Sequence, residues 1–199
     1  MWGAVFGMIR GGVSYGVGTS EPRGGGRVEG QLGLKACVGC GAMVPDVGGP
    51  THRYLGASPG CWAVYGGVLA REYEDYALYA PIHRLTVDAY AAQHPGTPSP
   101  QSRQSVGVHL IRLHLQLERG LPAEKANDAM LRISARPDRF PWLGPPPHLG
   151  DLTVLDVQRA EDPTDHMERV RRWARSVWEA WSPHHDTVRR WASPGCREH

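Results

Sequence analysis

The chain has 199 residues, 41% of them apolar, and a formal net charge of +2. That length and composition describe one domain of ordinary size with a real core and exclude a chain disordered throughout. The near-neutral balance supplies no global field for nucleic acid or an acidic membrane, and no apolar run reaches the roughly 18 residues that a membrane span needs.

Residues 1–33 are glycine-rich and show neither helical nor strand periodicity, so a disordered extension is expected there. Arg10 is the only positive charge in the first twenty residues and glycines interrupt every apolar run, which makes a poor signal peptide. Four cysteines, two of them in a Cys-x-x-Cys pair, then point to metal binding in a reducing compartment, with the cytoplasm as the expected location. The basic residues are arginine apart from Lys35 and Lys125, a bias that a GC-rich coding background explains as readily as phosphate recognition does.

The expected domain is mainly α, a single helical domain over 34–192 that begins with a zinc-knuckle loop at 34–62 and leaves a frayed tail at 193–199. Pro45, Gly48, Gly49, Pro50 and Gly56 make the segment from Cys37 to Ala57 read as loop. A segment this irregular needs something besides a core to hold it, and a metal ion supplies that. Ser58-Pro59 reads as N-cap and first position of a helix running to about Glu74, with Cys61 in its first turn. A second helix is expected from Tyr79, with Pro81 and His83 early and His94-Pro95-Gly96 as its stop. Ser99-Pro100 opens a third, to about Arg119, on which Val106, Leu110, Leu113 and Leu117 mark a buried face. A fourth runs through Met130 to about Ala135. The five prolines of 136–150 form a rigid connector. Thr153 caps a short helix to Ala160, although Leu152–Val157 reads equally as a strand. Asp162-Pro163 starts the longest helix, to Trp181, with Trp173 and Trp181 on its apolar stripe, and Ser182-Pro183 starts a last short one.

Cys37 and Cys40 have the two-residue spacing by which two thiolates of one tight turn reach a single metal ion. A redox pair would instead sit after a strand and open a helix, and Gly41, Pro45 and the long loop fit that badly. Cys61 is the expected third ligand, its thiolate favoured by the amides and dipole of the helix start. Its alternatives are a small buried apolar residue and a nucleophile activated by a neighbouring histidine. The fourth ligand is expected to be His83, which would close the site between two helices, with His52 in the loop as the alternative. A catalytic reading draws on His83, Asp88, His94 and His109, which fall on consecutive helices and so can converge on one polar pocket. Its competitor is a set of satisfied polar residues at helix contacts and caps. Arg169, Arg171, Arg172 and Arg175 read as a solvated helix face diluted by Glu168 and Glu179, and nucleic-acid binding is not expected from them.

The segments CVGCGAMVPDVGGPTHRYLGASPGCWAVYG, PIHRLTVDAYAAQHPG, QSVGVHLIRLHLQLERG and WARSVWEAWSPHH resemble a family of bacterial proteins catalogued as a domain of unknown function. The resemblance covers most of 34–191 and implies a bacterial source and a single-domain protein, without naming a reaction. The leading expectation is therefore a helical protein with one structural Zn2+ on Cys37, Cys40, Cys61 and His83. The alternatives are a metal-dependent hydrolase or lyase, with an open zinc or a His/Asp pocket, and a zinc-scaffolded module for a protein or nucleic-acid partner.

Overall fold

The computed structural model describes residues 33–134 and 140–193. The expected disorder of the extension falls on residues outside these, apart from Gly33, and so does the frayed tail beyond Ser193. Two short strands, β1 (Leu34–Ala36) and β2 (Met43–Pro45), pair antiparallel with Ala36 opposite Met43 and Leu34 opposite Pro45. Seven α-helices follow among the described residues: α1 (Pro59–Glu74), α2 (Tyr76–Gln93), α3 (Pro100–Leu117), α4 (Ala123–Ser134), α5 (Val154–Gln158), α6 (Pro163–Ala180) and α7 (His185–Ala192), with a 3-10 turn at Ser182–His184.

The β-hairpin corrects the expected unbroken loop. Its strands are three residues long, too short to show period-two alternation. The Cys37–Cys40 turn is the hairpin's loop: Cys37 donates its amide to Ala42 and Gly41 donates to Cys37, with Gly41 at φ 74, a conformation in which any Cβ is strained. Val44 is fully buried beneath the hairpin, whereas Leu34 (63% exposed) and Met43 (52%) face outward.

Ser58-Pro59, Ser99-Pro100 and Asp162-Pro163 open helices where expected, but the Ser58 hydroxyl accepts the Val38 amide at 3.1 Å instead of capping α1, and Ser182-Pro183 opens only the 3-10 turn ahead of α7. Proline's missing N–H falls where a helix has no acceptor for it. Ser99 and Asp162 accept the amides of Ser102 and Asp165, and Thr153 with Asp156 forms a capping box that makes α5 a helix and not a strand. The start of α2 is also displaced, to Tyr76 from the expected Tyr79. Asp75 accepts the amide of Leu78 at 3.2 Å, so Pro81 lies inside the helix.

α2 is the centre of the bundle and packs against α1, α3, α4 and α6. Its last turn is clamped from α6. Trp181 donates its indole N–H to the Ala92 carbonyl at 3.1 Å, and Trp173 donates to Gln93 Oε1 at 3.0 Å. The amide of Gln93 donates in turn to the carbonyls of Leu149 and Leu152, so the connector is tied to the same helix end. Both indoles are fully buried, and a buried N–H needs such a partner. Among the described residues no helix is long and apolar enough to cross a membrane.

Candidate metal centre

Three elements meet at the end of α2. The hairpin loop brings Cys37 and Cys40, the first turn of α1 brings Cys61, and the C-cap of α2 brings His94. One donor atom from each lies within 4.8 Å of the others. Cys40 Sγ is 3.8 Å from Cys61 Sγ, and His94 Nε2 is 3.6 Å from Cys37 Sγ and 3.5 Å from Cys61 Sγ. A tetrahedral ion with metal–sulfur bonds of about 2.3 Å and a metal–nitrogen bond of about 2.05 Å separates its ligands by about 3.8 Å for two sulfurs and about 3.6 Å for sulfur and nitrogen. These three separations match the edges of such a tetrahedron, and the cluster could hold one metal ion.

The surroundings orient the donors. His94 Nδ1 donates to the Tyr90 carbonyl at 2.7 Å, which fixes the tautomer and leaves Nε2 to face the sulfurs. The Ser58 amide donates to Cys37 Sγ at 3.4 Å, and the Tyr90 hydroxyl donates to Cys61 Sγ at 3.7 Å. Gly39, between the two knuckle cysteines, has no room for a side chain: a Cβ there would overlap the Gly56 carbonyl oxygen and lie 2.5 Å from His94 Cδ2.

Electrostatics also favours a cation. Contacts with Cys40 and Cys61 hold the Cys37 thiol far below its ordinary range, and Cys61 is pushed far above it by Cys37 and Cys40. Three sulfurs this close do not all ionise unaided, and a divalent ion removes that obstacle. Burial works against a charged His94, but the Cys37 and Cys40 sulfurs outweigh it and raise its pKa to about 9. A metal therefore competes with a proton at Nε2.

The histidine of the cluster is thus neither His83 nor His52. His83 lies near the other end of the α1–α2 pair, where Nδ1 donates to Glu72 Oε2 at 2.7 Å and Nε2 is 3.2 Å from the Tyr73 hydroxyl. The reason is connectivity. α1 and α2 are joined at Asp75 and run antiparallel, so the start of α2 returns beside the end of α1. Glu72 is eleven residues beyond Cys61, about 16 Å along the helix. His52 packs its ring against Tyr54 and Trp62, and its buried Nδ1 has no partner among the described residues.

The four catalytic candidates likewise divide among three separate hydrogen-bonded groups. His83 shares the buried Glu72 carboxylate with Thr86 and His166, whose Nε2 is 3.0 Å from Glu72 Oε1. Arg71 faces His166 Nδ1 at 3.4 Å, so that nitrogen accepts and Nε2 carries the proton. Asp88 and His109 do converge, between α2 and α3. His109 Nδ1 lies 2.8 Å from both Asp88 Oδ1 and an Arg112 nitrogen, while Arg112 Nε and Gln116 donate to the same carboxylate. His94 belongs to the cysteines. A cleft of about 440 Å3 adjoins the hairpin loop between Val38, Arg53, Tyr54, Gly96 and Leu149, and among the described residues no cysteine, histidine or carboxylate lines it.

The sequence reading missed His94 as a ligand because its place before Pro95-Gly96 explains it fully as a helix stop. The signal that finds it is the antiparallel return: the residue closing α2 must come back to the turn that opens α1. Comparison with curated proteins and with solved structures finds no match. The model of a family of unknown function (DUF5946) matches residues 35–182, a span that holds Cys37, Cys40, Cys61 and His94 together, and the chain belongs to that family.

Proposed function

We propose that this protein binds one zinc ion through Cys37, Cys40, Cys61 and His94, and that the metal is structural. The observation that carries this reading is the gathering of four donors within 4.8 Å of one another, three of their separations being 3.5 to 3.8 Å, the edge lengths of a metal-ligand tetrahedron. Three thiolates and one imidazole form a soft, closed set that suits zinc and leaves no position for water or substrate. The ion joins the hairpin to the start of α1 and the end of α2, and so orders a loop-rich segment that has little core of its own. Three free thiols at one site fit a reducing compartment, and the cytoplasm of a bacterium is the proposed location.

The test is elemental analysis of the chain purified without added metal, followed by hydrogen exchange before and after chelation. About one zinc per chain is expected, with chelation exposing amides of 34–62 while α2, α3 and α6 stay protected. Zinc far below that stoichiometry, or identical exchange at 34–62 in both samples, overturns the reading.

A further inference from the structure

We propose that Cys40 is the reactive sulfur of this centre and that a peroxide joins it to Cys61 as a disulfide, releasing the metal and freeing the hairpin. The inference rests on the zinc reading above and assigns the three sulfurs different roles within it.

Cys37 is 3% exposed and accepts the Ser58 amide; Cys61 is fully buried and accepts the Tyr90 hydroxyl. Cys40 is half-buried, and among the described residues neither a backbone amide nor a hydroxyl donates to it. Its neighbours Val38 (77% exposed) and Gly41 stand in solvent. A hydrogen bond to a thiolate withdraws the charge that makes it a nucleophile, and burial denies an oxidant access to it. Cys40 escapes the first restraint and is the least buried of the three. Its sulfur lies 3.8 Å from that of Cys61, within about 2 Å of disulfide bonding distance. The other contacts hold Cys61 in place, so the closing movement falls to the hairpin loop.

The steps balance with hydrogen peroxide as the two-electron oxidant. The Cys40 thiolate attacks one peroxide oxygen, the O–O bond breaks, and the departing hydroxide takes a proton from solvent, leaving a sulfenic acid. The Cys61 thiolate then attacks the Cys40 sulfur, the S–O bond breaks, and a second hydroxide leaves and is protonated. Two thiolates, one peroxide and two protons give one disulfide and two waters. A metal left with Cys37 and His94 alone has lost half of its ligands and dissociates.

The experiment uses the full chain carrying Cys196→Ser, which leaves Cys37, Cys40 and Cys61 as its only thiols. Zinc content is measured first; a metal-free protein at this step overturns the zinc reading and this proposal with it. The zinc-loaded protein is then treated with peroxide, zinc release is followed with a chromogenic chelator, and the thiols are mapped by mass spectrometry. The expected result is release of zinc in step with a Cys40–Cys61 cross-link, reversed by dithiothreitol and added zinc. In parallel, iodoacetamide is expected to alkylate Cys40 several-fold faster than Cys37 or Cys61 in the zinc-loaded protein. Full zinc content followed by resistance to peroxide, a Cys37–Cys40 cross-link, or equal alkylation of the three sulfurs overturns the proposal and leaves the structural zinc reading standing.

Discussion

The indole nitrogen of Trp173 donates to the side-chain oxygen of Gln93 at 3.0 Å, one residue before the histidine that faces the three sulfurs. Gln93 is fully buried and donates onward to two connector carbonyls at 2.9 and 2.7 Å. One side chain thereby joins α6, the connector and the last turn of α2. Gln93→Ala would strand an indole N–H and two carbonyls in the core, at a cost of about 2–4 kcal/mol. Because His94 follows directly, zinc affinity should fall as well. Urea denaturation and competition with a zinc chelator read the two effects, and a stability loss below about 1 kcal/mol would show that Gln93 does not hold this junction.

The histidines are expected to separate in their effects. His94→Ala should leave the purified protein with far less than one zinc. His83→Ala should keep the zinc and lose about 2–3 kcal/mol, because the Glu72 carboxylate, with no exposed surface, forfeits its 2.7 Å partner. His52→Phe should keep both zinc and stability, since the buried Nδ1 it removes has no partner to lose. Elemental analysis of the three variants decides among them, and loss of zinc from His83→Ala with retention in His94→Ala would reverse the ligand assignment.

Much of the helical frame was legible because its punctuation is local. Ser58-Pro59, Ser99-Pro100 and Asp162-Pro163 place helix starts at positions that the structure reproduces. Cys37, Cys40 and Cys61 were legible for the same reason, each belonging to a turn or helix start that the surrounding residues specify. His94 was not, because its ligand role depends on where the far end of α2 returns in space. Nor was Gln93, whose partners lie 56, 59 and 80 residues away. The hairpin escaped notice because two three-residue strands carry almost no pattern.

In the zinc-loaded protein, where the metal and not a proton would occupy His94, stability should fall on acidification from pH 8 to pH 5. Burial holds His109 below the ordinary histidine range, with Arg112 adding to the effect and Asp88 opposing it, and burial lowers His114 in the same direction. In the unfolded chain these side chains take up protons near pH 6.5. The unfolded state therefore binds more protons below that pH, and stability present above it is lost as pH falls, at about 1.4 kcal/mol per pH unit for each proton of difference. Glu72, whose burial penalty is outweighed by bonds from His166, His83 and Thr86, extends the loss into the carboxylate range. Melting temperatures across this range for the parent and for His109→Gln test the sign: the variant should be less stable at pH 8 and show a shallower pH slope. An unchanged slope would remove His109 from the account.

Gly39 offers a test of the knuckle that leaves every ligand in place. Gly39→Ala adds one methyl group, which would have to occupy the space of the Gly56 carbonyl oxygen and approach His94 Cδ2 to 2.5 Å. The Gly56 amide is itself committed to the His94 carbonyl at 3.2 Å, so the loop cannot retreat without releasing the residue that carries the imidazole. The variant should fold around its α2–α6 core, bind zinc at least tenfold more weakly, and exchange amides of 34–62 faster at equal metal concentration. The change acts through backbone crowding and not through lost donors, so excess zinc should restore protection. Gly48→Ala, in the segment after β2 with open space around it, is the control and should match the parent in both measurements. Parent-like affinity in Gly39→Ala would mean that the knuckle is free to move apart from His94, and the tight three-way junction proposed for the metal would be wrong.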